Sequence, residues 1–210
     1  MADTLWRGLK SLPVLLFFAV WALLTPAQAQ TLQMTGPIPT SRIQQWDDVL
    51  HRYDPAGAAA LSWRLQLREV ATRSQSMRDH ERVLALQLRL HAMESPRYVW
   101  PEYPAPKGWL TPAEFATTRG PIRDVDFAIA AYFGLKEMGF DDVALMSGWR
   151  TTATGKTGFI VTRVRTSAGY SYLERGQKVL LLELPANYQP RLVLTTENIR
   201  IVRRPPQTNE

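Results

Sequence analysis

The chain has 210 residues, 45% of them hydrophobic and 21% charged, with a net charge of +6. That suits one globular domain with a core of its own. It has no cysteine, which excludes disulfide staples, a thiolate nucleophile and cysteine-rich metal sites.

The first segment reads as an export leader. Arg7 and Lys10 form a basic start, Leu12 to Leu24 is an apolar run of 13 residues, and Pro26-Ala27-Gln28-Ala29 offers a small-x-small cleavage pattern before Gln30. A spanning helix needs about 20 apolar residues, so the run is short for a permanent anchor. A cleaved signal peptide over 1–29 is expected, with an uncleaved membrane anchor as the alternative, and the periplasm as the compartment. Cleavage removes two basic and one acidic residue, leaving a net charge of +5. An exported basic chain is not expected to meet nucleic acid; anionic polysaccharide or a membrane surface stays open.

Residues 30–40 are polar, with Gly36, Pro37 and Pro39, and read as a flexible lead-in. Ser41 is a candidate N-cap for a helix through Trp46, Val49, Leu50 and Tyr53, broken at Asp54-Pro55. Ala58 to Thr72 and Arg78 to Met93 carry apolar residues at helical spacing. The arginines between Arg64 and Arg82 alternate with acids, which reads as a solvated helical face. Ser95 to Lys107 holds four prolines and reads as an extended loop; with Trp109 it gathers the aromatics Tyr98, Trp100 and Tyr103. Thr111-Pro112-Ala113-Glu114 is a helix start with a capping box and proline at the first position.

Asp124 is placed to cap the next helix, whose Phe127, Ile129, Ala130, Phe133 and Leu135 make a core surface and which Gly139 ends. Strands are then expected at Val143–Trp149, Phe159–Thr166, Tyr170–Leu173, Val179–Leu184 and Ile199–Arg203, with glycines at the turns. Gly155-Lys156-Thr157-Gly158 has a fragment of phosphate-loop appearance but lacks the upstream glycine spacing, and reads as a turn. Helices first and an antiparallel sheet afterwards give the α+β class, with one central helix packed on the sheet. The domain is expected over 41–204, with a tail at 205–210.

Four segments carry a resemblance: Trp109-Leu110-Thr111-Pro112-Ala113-Glu114-Phe115, Ile122 to Phe133 (IRDVDFAIAAYF), Gly158 to Thr166 (GFIVTRVRT) and Gly169 to Arg175 (GYSYLER). In order and spacing they resemble the bacterial transglutaminase-like cysteine proteinase family, to which LapG-type periplasmic proteases belong. The resemblance covers roughly residues 80 to 175 and implies a papain-like fold. In that family a helix N-terminus stabilises a cysteine thiolate, a strand histidine takes its proton, and an acid orients the histidine. Matched position by position, the triad falls on Asp124, Phe159 and Glu174, with Glu183 as a second candidate for the acid. A carboxylate forms no thioester, and a phenyl ring moves no proton.

Acids that serve calcium binding in LapG-type members fall on Arg123 and Val125, leaving only Asp126. A calcium site needs several oxygen ligands, so no metal and no cofactor are expected. Of the histidines, His51, His80 and His91 all lie in the amino-terminal helices, and His91 is nearest in sequence to the aromatic loop.

The resemblance thus implies a pseudo-enzyme: a periplasmic binding or regulatory protein in adhesin, biofilm or exopolysaccharide processes. Its implied partner is a periplasmic or inner-membrane protein or a surface polypeptide. Trp100, Tyr103, Trp109 and Phe159 are the candidate contact residues, unless the aromatic loop simply covers the sheet edge. Two alternatives stay open, a hydrolase working through Asp124, Asp126 and Glu174, and a polysaccharide-binding accessory protein.

Overall fold

The computed structural model describes residues 33–94 and 106–203. The leader, most of the proline-rich loop with Tyr98, Trp100 and Tyr103, and the tail lie outside the described residues. The elements run β1 (Gln33–Met34), α1 (Gln44–Arg52), α2 (Leu61–Ser74), α3 (Asp79–Glu94), α4 (Pro112–Thr117), α5 (Asp124–Glu137), β2 (Val143–Thr152), β3 (Gly155–Thr166), β4 (Gly169–Leu173), β5 (Tyr188–Leu194) and β6 (Ile199–Arg203). The fold is α+β: among the described residues there are five α-helices and one antiparallel six-stranded sheet in the order β1-β6-β5-β2-β3-β4. Among the described residues no helix is long and apolar enough to cross a membrane.

Helix α5 is the centre of the packing. Every residue from Asp126 to Leu135 is buried, so its apolar surface runs all the way round, as a helix enclosed on every side requires. Small residues let its neighbours close in. A β-carbon on Gly134 would stand 3.0 Å from a Leu86 methyl and 3.4 Å from one of Leu67, which seats α2 and α3 on this helix. On the other side the Thr162 hydroxyl of β3 donates to the Ala128 carbonyl at 2.7 Å. The helix stops at Gly139, whose φ of +89° permits the bonds Gly139 N–H to Lys136 O and Phe140 N–H to Leu135 O.

Two buried tryptophans tie the amino-terminal helices down. Trp46 of α1 donates to Thr195 O at 2.9 Å and meets Tyr132 edge-on. Trp63 of α2 donates to the Glu137 carboxylate at 3.1 Å, which also accepts from the Tyr53 hydroxyl. Burial, then that carboxylate, pushes the Tyr53 phenol well above its ordinary pKa.

Several expectations change. Helix α1 begins at Gln44 behind a 3-10 turn at Thr40–Arg42, with Ile43 at the cap and no side-chain cap bond. Ser41 lies inside that turn, too early to cap the helix, and the Thr40 hydroxyl donates to Asp47. Residues 33–38 run along β6, with Thr35 N–H donating to Ile201 O and Ile38 paired to Ile199. Val179–Leu184 is not a strand. Gln87 of α3 donates to the carbonyls of Gln177 and Val179, only Leu181 bridges to Tyr172, and Val179 and Leu182 face water. The fifth strand is instead Tyr188–Leu194, which contains Pro190. Residues 155–158 belong to β3, and the turn is the Ala153–Thr154 pair before them.

Proline is tolerated in β5 because the ladder to β2 slips there: Ser147 pairs Leu192, and the next residue, Gly148, pairs Pro190. The slip presses β5 onto Gly148, where a β-carbon would lie 2.1 Å from Gln189 O and 2.9 Å from the Pro190 α-carbon. Gly148→Ala should therefore cost roughly 1–3 kcal/mol, as overpacking does, read as a lower urea midpoint. An unchanged midpoint would show that the bulge can open without loss.

Candidate functional site

The start of α5 is set by three residues, Arg123, Asp124 and Asp126. Arg123 is the cap, in an extended conformation. The carboxylate that answers it belongs to Asp126, one turn in, which accepts from the Arg123 N–H at 3.1 Å. Asp126 is fully buried and also accepts from Arg123 Nε and Nη2, both at 2.8 Å, and from the Leu110 N–H at 3.0 Å. The guanidinium continues outward to the carbonyls of Pro106 and Gly108. The Asp126 contact raises the pKa of Arg123 above its ordinary value.

Asp124 is therefore not the cap expected of it. It occupies the first helical position, where a negative charge still suits the helix dipole. Its side chain is 53% exposed and pairs with Arg175 at 3.2 Å. Arg175 also grips Glu94 at the end of α3, Nε to Oε1 at 2.5 Å. One guanidinium thus joins α3, the end of β4 and the start of α5.

The Phe159 and Glu174 side chains gather around Tyr188, although Phe159 and Asp124 border one cleft. Thr162 bonds to α5, and strand alternation then turns Gly158, Ile160 and Val164 to the helix and Phe159 and Val161 to the opposite face. Phe159 is buried with its ring on Tyr188, centroids 4.7 Å apart. The Tyr188 hydroxyl donates to Glu174 at 2.8 Å, and Arg150 completes the group at 3.1 Å from Glu174. Burial, with help from the Glu174 carboxylate, holds the Tyr188 phenol above its ordinary pKa. Glu183, the second candidate acid, is exposed in the segment between β4 and β5.

Phe159 does not seal the space in front of α5. An open cleft of about 710 Å³ lies there, bordered by Ile122, Asp124 and Val125 at the helix start, by Ser147, Gly158, Ile160 and Leu192 on the sheet, and by Ile43 and Trp109 opposite. Phe159 borders it too, but Ile160 is the β3 side chain that alternation turns inward. Trp109 is half-buried and also borders a second hollow of about 390 Å³, lined by His51, Asp48 and Glu114 among others. It follows the Arg123-clamped carbonyls and precedes Thr111, whose capping box with Glu114 forms as the sequence indicates.

His51 and His80 stay apart from this chemistry, while His91 lies 3.7 Å from Glu94, the carboxylate that Arg175 grips. His51 is exposed beside Asp47, and His80 is half-exposed in the first turn of α3. His91 comes closest, its ring 4.8 Å from that of Phe127 and its Nε2 2.7 Å from Gln177 O. Among the described residues no three or more His, Asp or Glu side chains gather as a metal site. Sequence reasoning missed Arg175, Arg150, Tyr188 and Trp149. Only Arg175 carried a signal, standing directly after the matched acid Glu174.

No protein-family model matches the chain, and no curated protein matches it in sequence. Among solved structures it is similar to LapG of Legionella pneumophila. Against the calcium-bound form the identity is 15%, covering 64% of this chain and 87% of that one, with a TM-score of 0.38. Against the EGTA-treated form the identity is 17%, covering 64% and 84%, with a TM-score of 0.40.

The two aspartates of α5 should behave oppositely. Asp124→Asn breaks one exposed ion pair and should cost less than about 1 kcal/mol. Asp126→Asn removes a fully buried carboxylate and turns an amide N–H toward N–H donors, and should cost roughly 1–3 kcal/mol. Urea midpoints separate the two, and equal losses would contradict the assignment of Asp126 as the structural acid.

Proposed function

We propose that this chain is a noncatalytic homologue of the transglutaminase-like cysteine proteinases, exported to the periplasm, that holds a polypeptide segment in the cleft before α5. One observation carries the reading. The positions matching nucleophile and base hold Asp124, paired to Arg175, and Phe159, packed against the tilted ring of Tyr188. A carboxylate already paired, with a phenyl ring at the base position, makes no nucleophile–base pair. The cleft nonetheless stays open, and its borders are mostly apolar, a composition suited to binding.

The carboxylate-hydrolase alternative loses support on the same geometry. Asp126 is enclosed by four N–H donors, and Glu174 is occupied by Tyr188 and Arg150. Neither is available to activate water. The resemblance of the four sequence segments supports the family, and the leader pattern supports the compartment. A periplasmic or inner-membrane protein, or a surface polypeptide of an adhesin or exopolysaccharide system, is the partner this reading implies.

Purified protein incubated with a proteome-derived peptide library should produce no new termini by mass spectrometry. It should retain a polypeptide from envelope extract that a folded Trp109→Ala variant releases. Cleavage that disappears in Asp124→Asn would overturn the noncatalytic reading. Retention unaffected by Trp109→Ala would remove the cleft from the binding surface.

A further inference from the structure

We infer that the sheet ledge beyond the start of α5, where Trp149 stands beside Gly158, is a subsite for one large apolar side chain of an extended polypeptide. The inference rests on the cleft being a polypeptide site and specifies where that ligand is read. Hairpin β2–β3 overruns the helix. Leu145 and Thr162 form the row beneath α5; Ser147, Ile160 and Leu192 form the next, which floors the cleft. The last row places Trp149 between Gly158 and Gln189. Rows on one face of an antiparallel strand stand about 6.8 Å apart, so Trp149 is a single step out from the cleft. It is 49% exposed, and its strand partner Gly158 borders the cleft, so the indole continues an open apolar surface, the arrangement that marks an interaction site.

The two glycines of the hairpin differ in what requires them. Gly148 is demanded by the close approach of β5. At Gly158 a β-carbon would meet nothing nearer than the Gly148 carbonyl at 4.0 Å, and the residue is not among those with positive φ. Neither packing nor backbone geometry asks for a glycine there, and glycine weakens a strand. Its effect is to bare the main chain beside the indole, which lets another backbone come close.

The charges at the cleft select the class of occupant. Arg123 is bound to Asp126, and Asp124 to Arg175, so its charged side chains already have partners within the protein. A glycan needs several free hydrogen-bonding groups around a stacking ring, and these walls are mostly aliphatic. An apolar stretch of polypeptide meets no such requirement and matches Ile160, Leu192 and Trp149.

The test pans a phage-displayed library of random linear peptides against the intact purified chain, then titrates one enriched synthetic peptide by fluorescence anisotropy. Enriched sequences should share one aromatic or large aliphatic position. Kd should rise about tenfold or more, the equivalent of about 1.4 kcal/mol, in both Gly158→Val and Trp149→Ala, while the thermal midpoint of Gly158→Val stays level or rises. Should Gly158→Val fail to fold, Trp149→Ala at its exposed position carries the test. A peptide lost in Trp109→Ala but bound equally by Trp149→Ala would overturn the ledge and leave the cleft reading standing. Enrichment of no peptide, with binding to a glycan array instead, would overturn both.

Discussion

The clamp between Asp126 and Arg123 is the contact on which the rest of the site depends. It lies where the central helix begins, and one carboxylate there answers the backbone of the cap residue, the guanidinium beside it and the N–H of Leu110. A buried carboxylate is stable only when charge and hydrogen bonds both satisfy it. This one has four donors and a permanent cation. The same guanidinium reaches Pro106 and Gly108, so the approach to Trp109 is fixed to the helix start. Two borders of the cleft, Trp109 and the start of α5, are therefore held in one frame.

The same helix start bears on the noncatalytic reading proposed above. A helix N-terminus attracts negative charge, and here two aspartates supply it. The buried one is spent on structure. The exposed one is held by Arg175, which Glu94 anchors in turn. On the sheet, Thr162 turns to the helix and Phe159 away from it, and Tyr188 and Arg150 enclose the remaining acid. The three acids Asp124, Asp126 and Glu174 thus each have a charged partner within the protein.

The parts of this arrangement legible in the sequence were those set by local rules. Thr111 to Glu114 announced a capping box, and the apolar run after Asp126 announced a buried helix ended by Gly139. The cap itself was ambiguous because acids stand at both 124 and 126, and only the fold shows which one Arg123 and Leu110 enclose. Strand β5 was hidden by Pro190, whose missing N–H is tolerated only at a ladder slip that depends on Gly148. The apolar run at 179–184 mimicked a strand because nothing local reveals that Gln87 claims its carbonyls. Arg175, Arg150 and Tyr188 reach the site from distant segments, and their roles are properties of the tertiary structure.

The account's central claim is that the surface in use is the cleft before α5 and not the arginine-bearing helices α2 and α3. Chemical-shift mapping with labelled methyl groups and indole N–H groups, recorded as a bound peptide is added, tests it most directly. The predicted result is perturbation at Trp109, Val125, Trp149, Ile160 and Leu192. Perturbation confined to Leu61, Leu65 and Leu88, the exposed leucines of α2 and α3, would contradict it.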